Sequence, residues 1–346
     1  MDSRQNALSS WCTEQLGTQH SPLEMVSGDA SFRRYFRVTN VSPTLIAMDA
    51  PPEKEDSHSF VAIAKHWQNQ GIAVPKVLHH DLSKGFLLLE DYGDQVLLNQ
   101  LNANAPDIVQ GSLFYPKAIQ SLINIQLARE DQRYPLPQYD AELLNREMAL
   151  FKDWLLGRKL KLSLNTSEEQ IIADFFTLLS NSALSQPQVP VHRDYHSRNL
   201  MILPDDGLGI LDFQDAVTGP ITYDLVSLLR DCYIVWPTDN VYAWCQHYFQ
   251  LAQQTGVLSE PLTTDFEQFI KWFDLMGMQR HLKAAGIFAR LSLRDGKHGY
   301  LDDIPRTLDY LHQVSSRYAE SQAFHRWLGE RVLPALATLK SMTSCQ

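Results

Sequence analysis

One interruption in a long helical pattern limits this fold more than any other feature. From Gln95 onward apolar residues recur at three- and four-residue spacing, over residues 118–127, 143–155, 168–179, 223–233, 241–251, 266–288 and 305–310, with a last helix through Leu333 and Leu339. Within that run, Leu200, Met201, Ile202 and Leu203, then Pro204, Asp205, Asp206 and Gly207, then Leu208, Gly209, Ile210 and Leu211 read as strand, turn, strand. A hairpin returns the chain on itself. The residue that follows it, Asp212, is therefore expected to face the polar segment that precedes it: His192, Arg193, Asp194, Tyr195, His196, Ser197, Arg198 and Asn199.

Ahead of Gln95 the pattern is different. Residues 6–16 can form a short helix, and residues 28–38 alternate as a strand does, with Phe32, Phe36 and Val38 on one side and Arg33, Tyr35 and Arg37 on the other. Residues 44–48, 74–78 and 85–89 read as further short strands. Between the first two of these, Ser57 is placed to cap a helix running through Phe60, Ile63, Ala64 and Trp67 until Gly71 stops it. The expectation is an α+β chain with a small β-rich lobe over residues 1–92 and a large, mainly helical lobe over residues 93–346. A chain of 346 residues is long enough to bury a large core and to divide in this way. No internal repeat or low-complexity stretch is evident.

Asp194, Asn199 and Asp212 together suit phosphoryl transfer. That reaction asks for positioning and for neutralisation of charge by metal ions rather than for covalent chemistry. Asp194 would accept or orient the acceptor hydroxyl, while Asn199 and Asp212 would hold Mg2+, a hard ion that takes one or two protein oxygens besides phosphates and water. Asn199 follows Asp194 by the spacing of the kinase catalytic loop. A single carboxylate in such a loop could equally cap a turn; the triplet in register points to chemistry. His192 reads as a hydrogen-bonding residue of the loop rather than a base, because Asp194 already fills that role.

The segment containing Asp212, Phe213, Gln214 and Asp215, followed by Gly219, Pro220, Tyr223, Asp224 and Leu225, resembles the aminoglycoside phosphotransferase and choline kinase superfamily. The resemblance implies a protein-kinase-like two-lobe fold, with ATP and Mg2+, acting on a small molecule. Gln214 and Asp215 depart from the Asp, Phe, Gly signature of protein kinases, and no Ala, Pro, Glu segment follows, which speaks against a protein substrate. The resemblance also implies a nucleotide site. Ser31 and Phe32 would lie in the turn covering the phosphates, with Arg34 beside them, and Glu90 and Tyr92 in a hinge offering backbone groups to adenine. One departure stands out: Asp49 occupies the place where the third kinase strand carries a phosphate-binding lysine, leaving Arg34, Arg37 or Lys54 to take over.

Over nearly the whole chain the likeness narrows to a branch. Residues 29–37, 48–52, 215–220, 286–290 and 294–296 resemble the anomeric amino-sugar kinases of Gram-negative bacteria, and in that branch Asp49 belongs to the pattern. The resemblance implies phosphorylation of N-acetylmuramate or N-acetylglucosamine at the anomeric hydroxyl, in cell-wall recycling. N-acetylmuramate carries a lactyl carboxylate, which arginine can hold at two points; Arg198, Arg290 and Arg294 are candidates, with His196 a further substrate-cleft residue. The alternatives are a kinase of the same superfamily acting on an aminoglycoside or amino alcohol, and a non-catalytic ATP-binding scaffold, suggested by the missing strand lysine.

Composition excludes other classes. The formal charge of −10 argues against general nucleic-acid binding. Cys12, Cys232, Cys245 and Cys345 have no paired spacing of a zinc site or a disulfide framework. No secretory leader or membrane-length apolar run is seen, so cytoplasmic residence is expected, with sugar and ATP as partners, no membrane and no obligate protein partner.

Overall fold

The computed structural model describes residues 2–28, 32–102, 105–259 and 265–343. The chain forms two compact units, of which the first comprises Met1–Leu101, Ala128–Leu136 and His192–Ala216. The division does not fall at one point of the chain, because two later segments return to the first unit.

The first unit is built on a five-stranded antiparallel sheet of β1 (Leu23–Gly28), β2 (Arg34–Val38), β3 (Leu45–Asp49), β4 (Val77–Asp81) and β5 (Phe86–Glu90), in the order β1-β2-β3-β5-β4. Strand alternation gives the sheet two apolar faces. Phe36, Val38, Leu45, Ala47, Phe86 and Leu88 pack against Leu8, Trp11 and Cys12 of helix α1 (Ser3–Leu16). Helix α1 starts where the Asp2 carboxylate accepts the Gln5 amide at 2.8 Å. The other face carries Tyr35, Ile46 and Leu89. Helix α2 (His58–Asn69) buries Phe60, Ile63, Ala64 and Trp67. Its N-terminus departs from expectation: Ser57 makes no capping bond, and the Asp56 carboxylate accepts the His58 amide at 2.9 Å instead.

The expected hairpin is present as antiparallel strands Leu200–Ile202 and Leu208–Ile210. It is stitched to the first unit by backbone bonds: Ile202 N–H to Gln95 at 2.8 Å, Ile210 N–H to Ala73 at 2.8 Å, and the amide of Leu98, in helix α3 (Leu97–Leu101), to Ser197 at 3.0 Å. This stitching attaches the segment that carries Asp194, Asn199 and Asp212 to the sheet of this unit.

The second unit is mainly helical and is organised around the helix Phe266–Asp295. Most expected helices run further than their apolar periodicity. Ile108–Gln126 continues upstream through Pro116, and Ala141–Leu150 is extended by a π-helical stretch, Phe151–Lys159. The helical pattern is also interrupted a second time, by the antiparallel pair Gln188–Val191 and Val217–Pro220. Pro190, Gly219 and Pro220 hide that pair from any propensity argument.

Candidate active site

Two residues of the site hold backbone conformations that side chains disfavour. Arg193 has φ 76° and Asp212 has φ 61°. Such positions cost of order 1–3 kcal/mol each and persist only where the surroundings enforce them. Here the enforcement comes from His192. Its Nδ1 accepts the Asp194 amide at 3.2 Å, so its ring proton sits on Nε2 and is donated to the Leu211 carbonyl at 2.9 Å. Burial drives its pKa down to about 4, against the pull of Asp194, and the ring is neutral at physiological pH. Phe213, fully buried, packs on Phe60 and Trp67 of α2, with ring centroids 4.7 and 6.0 Å apart. The helix thereby backs the loop that presents Asp212.

Asn199 is oriented by its own loop. Its Nδ2 donates to the Asp194 carbonyl at 3.0 Å, and its backbone carbonyl accepts the Leu211 amide at 2.9 Å. With the amide nitrogen committed, the side-chain oxygen is the end left for a cation. Asp212 accepts from Gln214 Nε2 at 2.8 Å and lies 3.6 Å from an Arg33 guanidinium nitrogen. One carboxylate and one amide oxygen make a poor site for a metal alone. Among the described residues no cluster of three His, Cys, Asp or Glu side chains could hold an ion. The pair does suit Mg2+ that is also bound to phosphates.

Both residues line a cleft of about 530 Å³ within the first unit, together with Tyr35, Ile46, Leu89, Glu90, Tyr92, Arg198 and Phe213. That volume is in the range of small-molecule sites. The ring of Tyr92 can lie here only because position 209 is glycine: a Cβ on Gly209 would fall 2.4 Å from it. Asp91 braces the same corner, accepting Arg37 Nε at 2.6 Å, Thr44 Oγ1 at 2.8 Å and the Gly93 amide at 2.9 Å.

The model of the phosphotransferase enzyme family matches residues 23–257. The chain belongs to this family. An N-acetylmuramate/N-acetylglucosamine kinase of Pseudomonas putida is 42% identical over 329 residues, covering 92% of this chain and 94% of that protein. One from Neisseria meningitidis is 39% identical over 330 residues, covering 95% and 96%. Among solved structures, the choline kinase LicA of Streptococcus pneumoniae superposes with a TM-score of 0.59 at 12% identity, covering 89% of this chain and 99% of that one. That likeness speaks to fold alone, and the fold is the protein-kinase-like α+β fold that the sequence led us to expect. The chain is a small-molecule phosphotransferase.

The residues expected in this phosphotransferase's site are placed unevenly. Asn199, Asp212, Glu90, Tyr92 and Arg198 line the cleft, and Asp194 is tied to them through Asn199 and His192. Ser31 lies outside the described residues. Phe32 is 62% exposed, with its amide on Glu55 Oε1 at 3.0 Å and Lys54 over its ring. Arg34 does not face the cleft: on β2 it alternates with Tyr35, and it pairs with Asp49 at 2.5 Å and with Asp2. Arg37 is held by Asp91 and Asp94. His196 donates its amide to the Asp194 carbonyl at 3.0 Å, closing the loop.

Arg290 and Arg294 belong to the long helix of the second unit. Arg294 is held by the adjacent Asp295 at 2.7 and 2.9 Å. Arg290 has a buried Nε with no hydrogen-bond partner among the described residues. Burial lowers its pKa, and Arg294 adds to the effect. Reading the sequence assigned no role to Arg33, which alternation placed on the side of Tyr35 and Arg37 and which lies 3.6 Å from Asp212. The doublet Arg33 and Arg34 was the available signal, since only one of two neighbours on a strand can face a site.

Proposed function

We propose that this phosphotransferase transfers the γ-phosphoryl group of ATP to the anomeric hydroxyl of N-acetylmuramate or N-acetylglucosamine, giving the sugar 1-phosphate and ADP. The observation that carries the proposal is identity of 39–42% over more than nine-tenths of the chain to kinases named for these sugars. Cleft geometry supplies the means. Tyr92 and the Glu90 backbone would bind adenine, and Asp194 would orient the anomeric hydroxyl. The sugar O1 forms its bond to phosphorus as the bond from phosphorus to the ADP oxygen breaks, and the O1 proton passes to the Asp194 carboxylate. An anomeric hydroxyl is more acidic than an ordinary alcohol, so late proton transfer suffices. Asn199 and Asp212 would hold Mg2+, which when bound neutralises charge building on the phosphate oxygens.

Of the arginines that the resemblance suggested for the lactyl carboxylate of N-acetylmuramate, we take Arg290 as the candidate to test. An ATP-dependent reaction of this kind would run in the cytoplasm. No helix among the described residues is long and apolar enough to cross a membrane. The test is incubation of the full chain with Mg-ATP and each sugar, followed by phosphorus NMR. A sugar 1-phosphate signal is expected from both; ATP turnover only with amino-alcohol or aminoglycoside acceptors would overturn the assignment.

A further inference from the structure

Kinases of this fold need a cation on the nucleotide phosphates, and here β3 does not provide one. Asp49 is fully buried on the face of the sheet away from the cleft, where Arg4 Nε at 3.0 Å and Arg34 Nε at 3.1 Å grip its two oxygens. Its role is to tie α1 to the sheet. The β3 residue of that level on the cleft face, by alternation with Ile46, is Met48, which has no charge and is fully buried.

A different arginine meets the requirement. Arg33, immediately before β2, is only 9% exposed. One guanidinium nitrogen pairs with Glu55 Oε2 at 3.0 Å, and the other lies 3.6 Å from Oδ1 of Asp212, which lines the cleft. Burying a guanidinium is costly unless it is paired. Glu55 supplies a close partner, whereas the Asp212 contact is too long for a hydrogen bond and can part when Asp212 turns to a metal ion. Glu55 does a second thing: its Oε1 accepts the Phe32 amide at 3.0 Å, clamping the segment before β2 to the segment before α2. The three cations that the sequence offered in place of the strand lysine are engaged elsewhere, Arg34 with Asp49 and Asp2, Arg37 with Asp91 and Asp94, and Lys54 over Phe32.

We propose that Arg33 is the phosphate-binding cation of this kinase, in place of the strand lysine, and that Glu55 is its positioning residue. A guanidinium offers a fork that matches two phosphate oxygens, which a lysine on β3 could not. The inference rests on ATP being the donor.

The test is calorimetric binding of ATP and of adenosine to the full chain, so that the phosphate contribution is read apart from the base. Arg33→Met is expected to weaken ATP binding about 10- to 100-fold, the range for loss of a charged hydrogen bond, and to leave adenosine within about twofold. Because Arg33→Met leaves Glu55 unpaired and could unfold the protein, the double variant Arg33→Met with Glu55→Gln removes both charges; the same selective loss is expected. Glu55→Gln alone should raise the KM for ATP several-fold with a smaller change in kcat, and Arg33→Lys should recover only part of the affinity. Equal weakening of ATP and adenosine, or ATP binding within about twofold of the parent in the double variant, would overturn the assignment of Arg33. Failure of the parent chain itself to bind ATP would overturn the donor and this inference together.

Discussion

His192 accepts the amide of Asp194 on Nδ1 at 3.2 Å, so the residue proposed to orient the acceptor hydroxyl is held by an imidazole that must stay neutral. Its Nε2–H reaches the carbonyl next to Asp212. One ring thus fixes both sides of the site.

A pH dependence of stability follows. The imidazoles of His192 and His281 are both buried, and burial lowers their pKa values from 6.5 to about 4 and about 3. Between those values the unfolded chain holds more protons than the folded one, so stability rises with pH. The contribution is present above about pH 6.5 and is lost as pH falls towards 4; for His192 it is on the order of 3 kcal/mol. Urea unfolding at pH 7.5 and 5 should show a smaller pH-linked loss for His192→Gln than for the parent. Identical losses would mean that His192 is not held neutral.

Asp194→Asn should lower kcat by about 10²- to 10⁴-fold, the usual contribution of a positioned base. ATP affinity should stay within about threefold, because Asp194 is assigned to the acceptor. Steady-state kinetics with calorimetry separates the two. A variant with full turnover would remove Asp194 from the reaction.

Gln214 is buried and donates to Asp212 Oδ1 at 2.8 Å, at the position where protein kinases have glycine. Partners of metal-binding carboxylates commonly change metal affinity about 10- to 100-fold when removed. Gln214→Ala should therefore raise the Mg2+ concentration giving half-maximal rate by about tenfold at saturating ATP. An unchanged Mg2+ titration would show that Asp212 holds its orientation without it.

Arg290→Met should lower kcat/KM for N-acetylmuramate about 10- to 100-fold while changing that for N-acetylglucosamine about twofold or less, since only the first sugar carries a carboxylate. Competition kinetics with both sugars in one mixture reads the ratio directly. Equal losses would assign Arg290 to the shared part of the sugars or to the fold.

Much of this was legible in the sequence because its signals are local. The strands Leu200–Ile202 and Leu208–Ile210 follow from apolar runs around a turn, and the triplet proposed for the chemistry, Asp194, Asn199 and Asp212, was singled out by its spacing. What was not legible depends on which way a side chain faces and on distant partners. Arg34 was expected at the nucleotide and instead grips Asp49, 15 residues away. Arg33 acquires its place from Glu55, 23 residues later than Phe32, whose amide the same carboxylate binds. Asp49 was expected as part of the branch's pattern, but its burial and its bonds to Arg4 and Arg34 could not be read from the sequence. The pairing of Gln188–Val191 with Val217–Pro220 arises from tertiary contact that overrides two prolines and a glycine.

The most direct test of the proposed chemistry labels the nucleophile. N-acetylmuramate carrying oxygen-18 at its anomeric hydroxyl, incubated with the full chain and Mg-ATP, should give a sugar 1-phosphate whose phosphorus resonance shows the isotope shift of one labelled bridging oxygen. A product without that shift, or phosphate on any other hydroxyl, would contradict the assignment of the anomeric oxygen as the group that Asp194 aims at ATP.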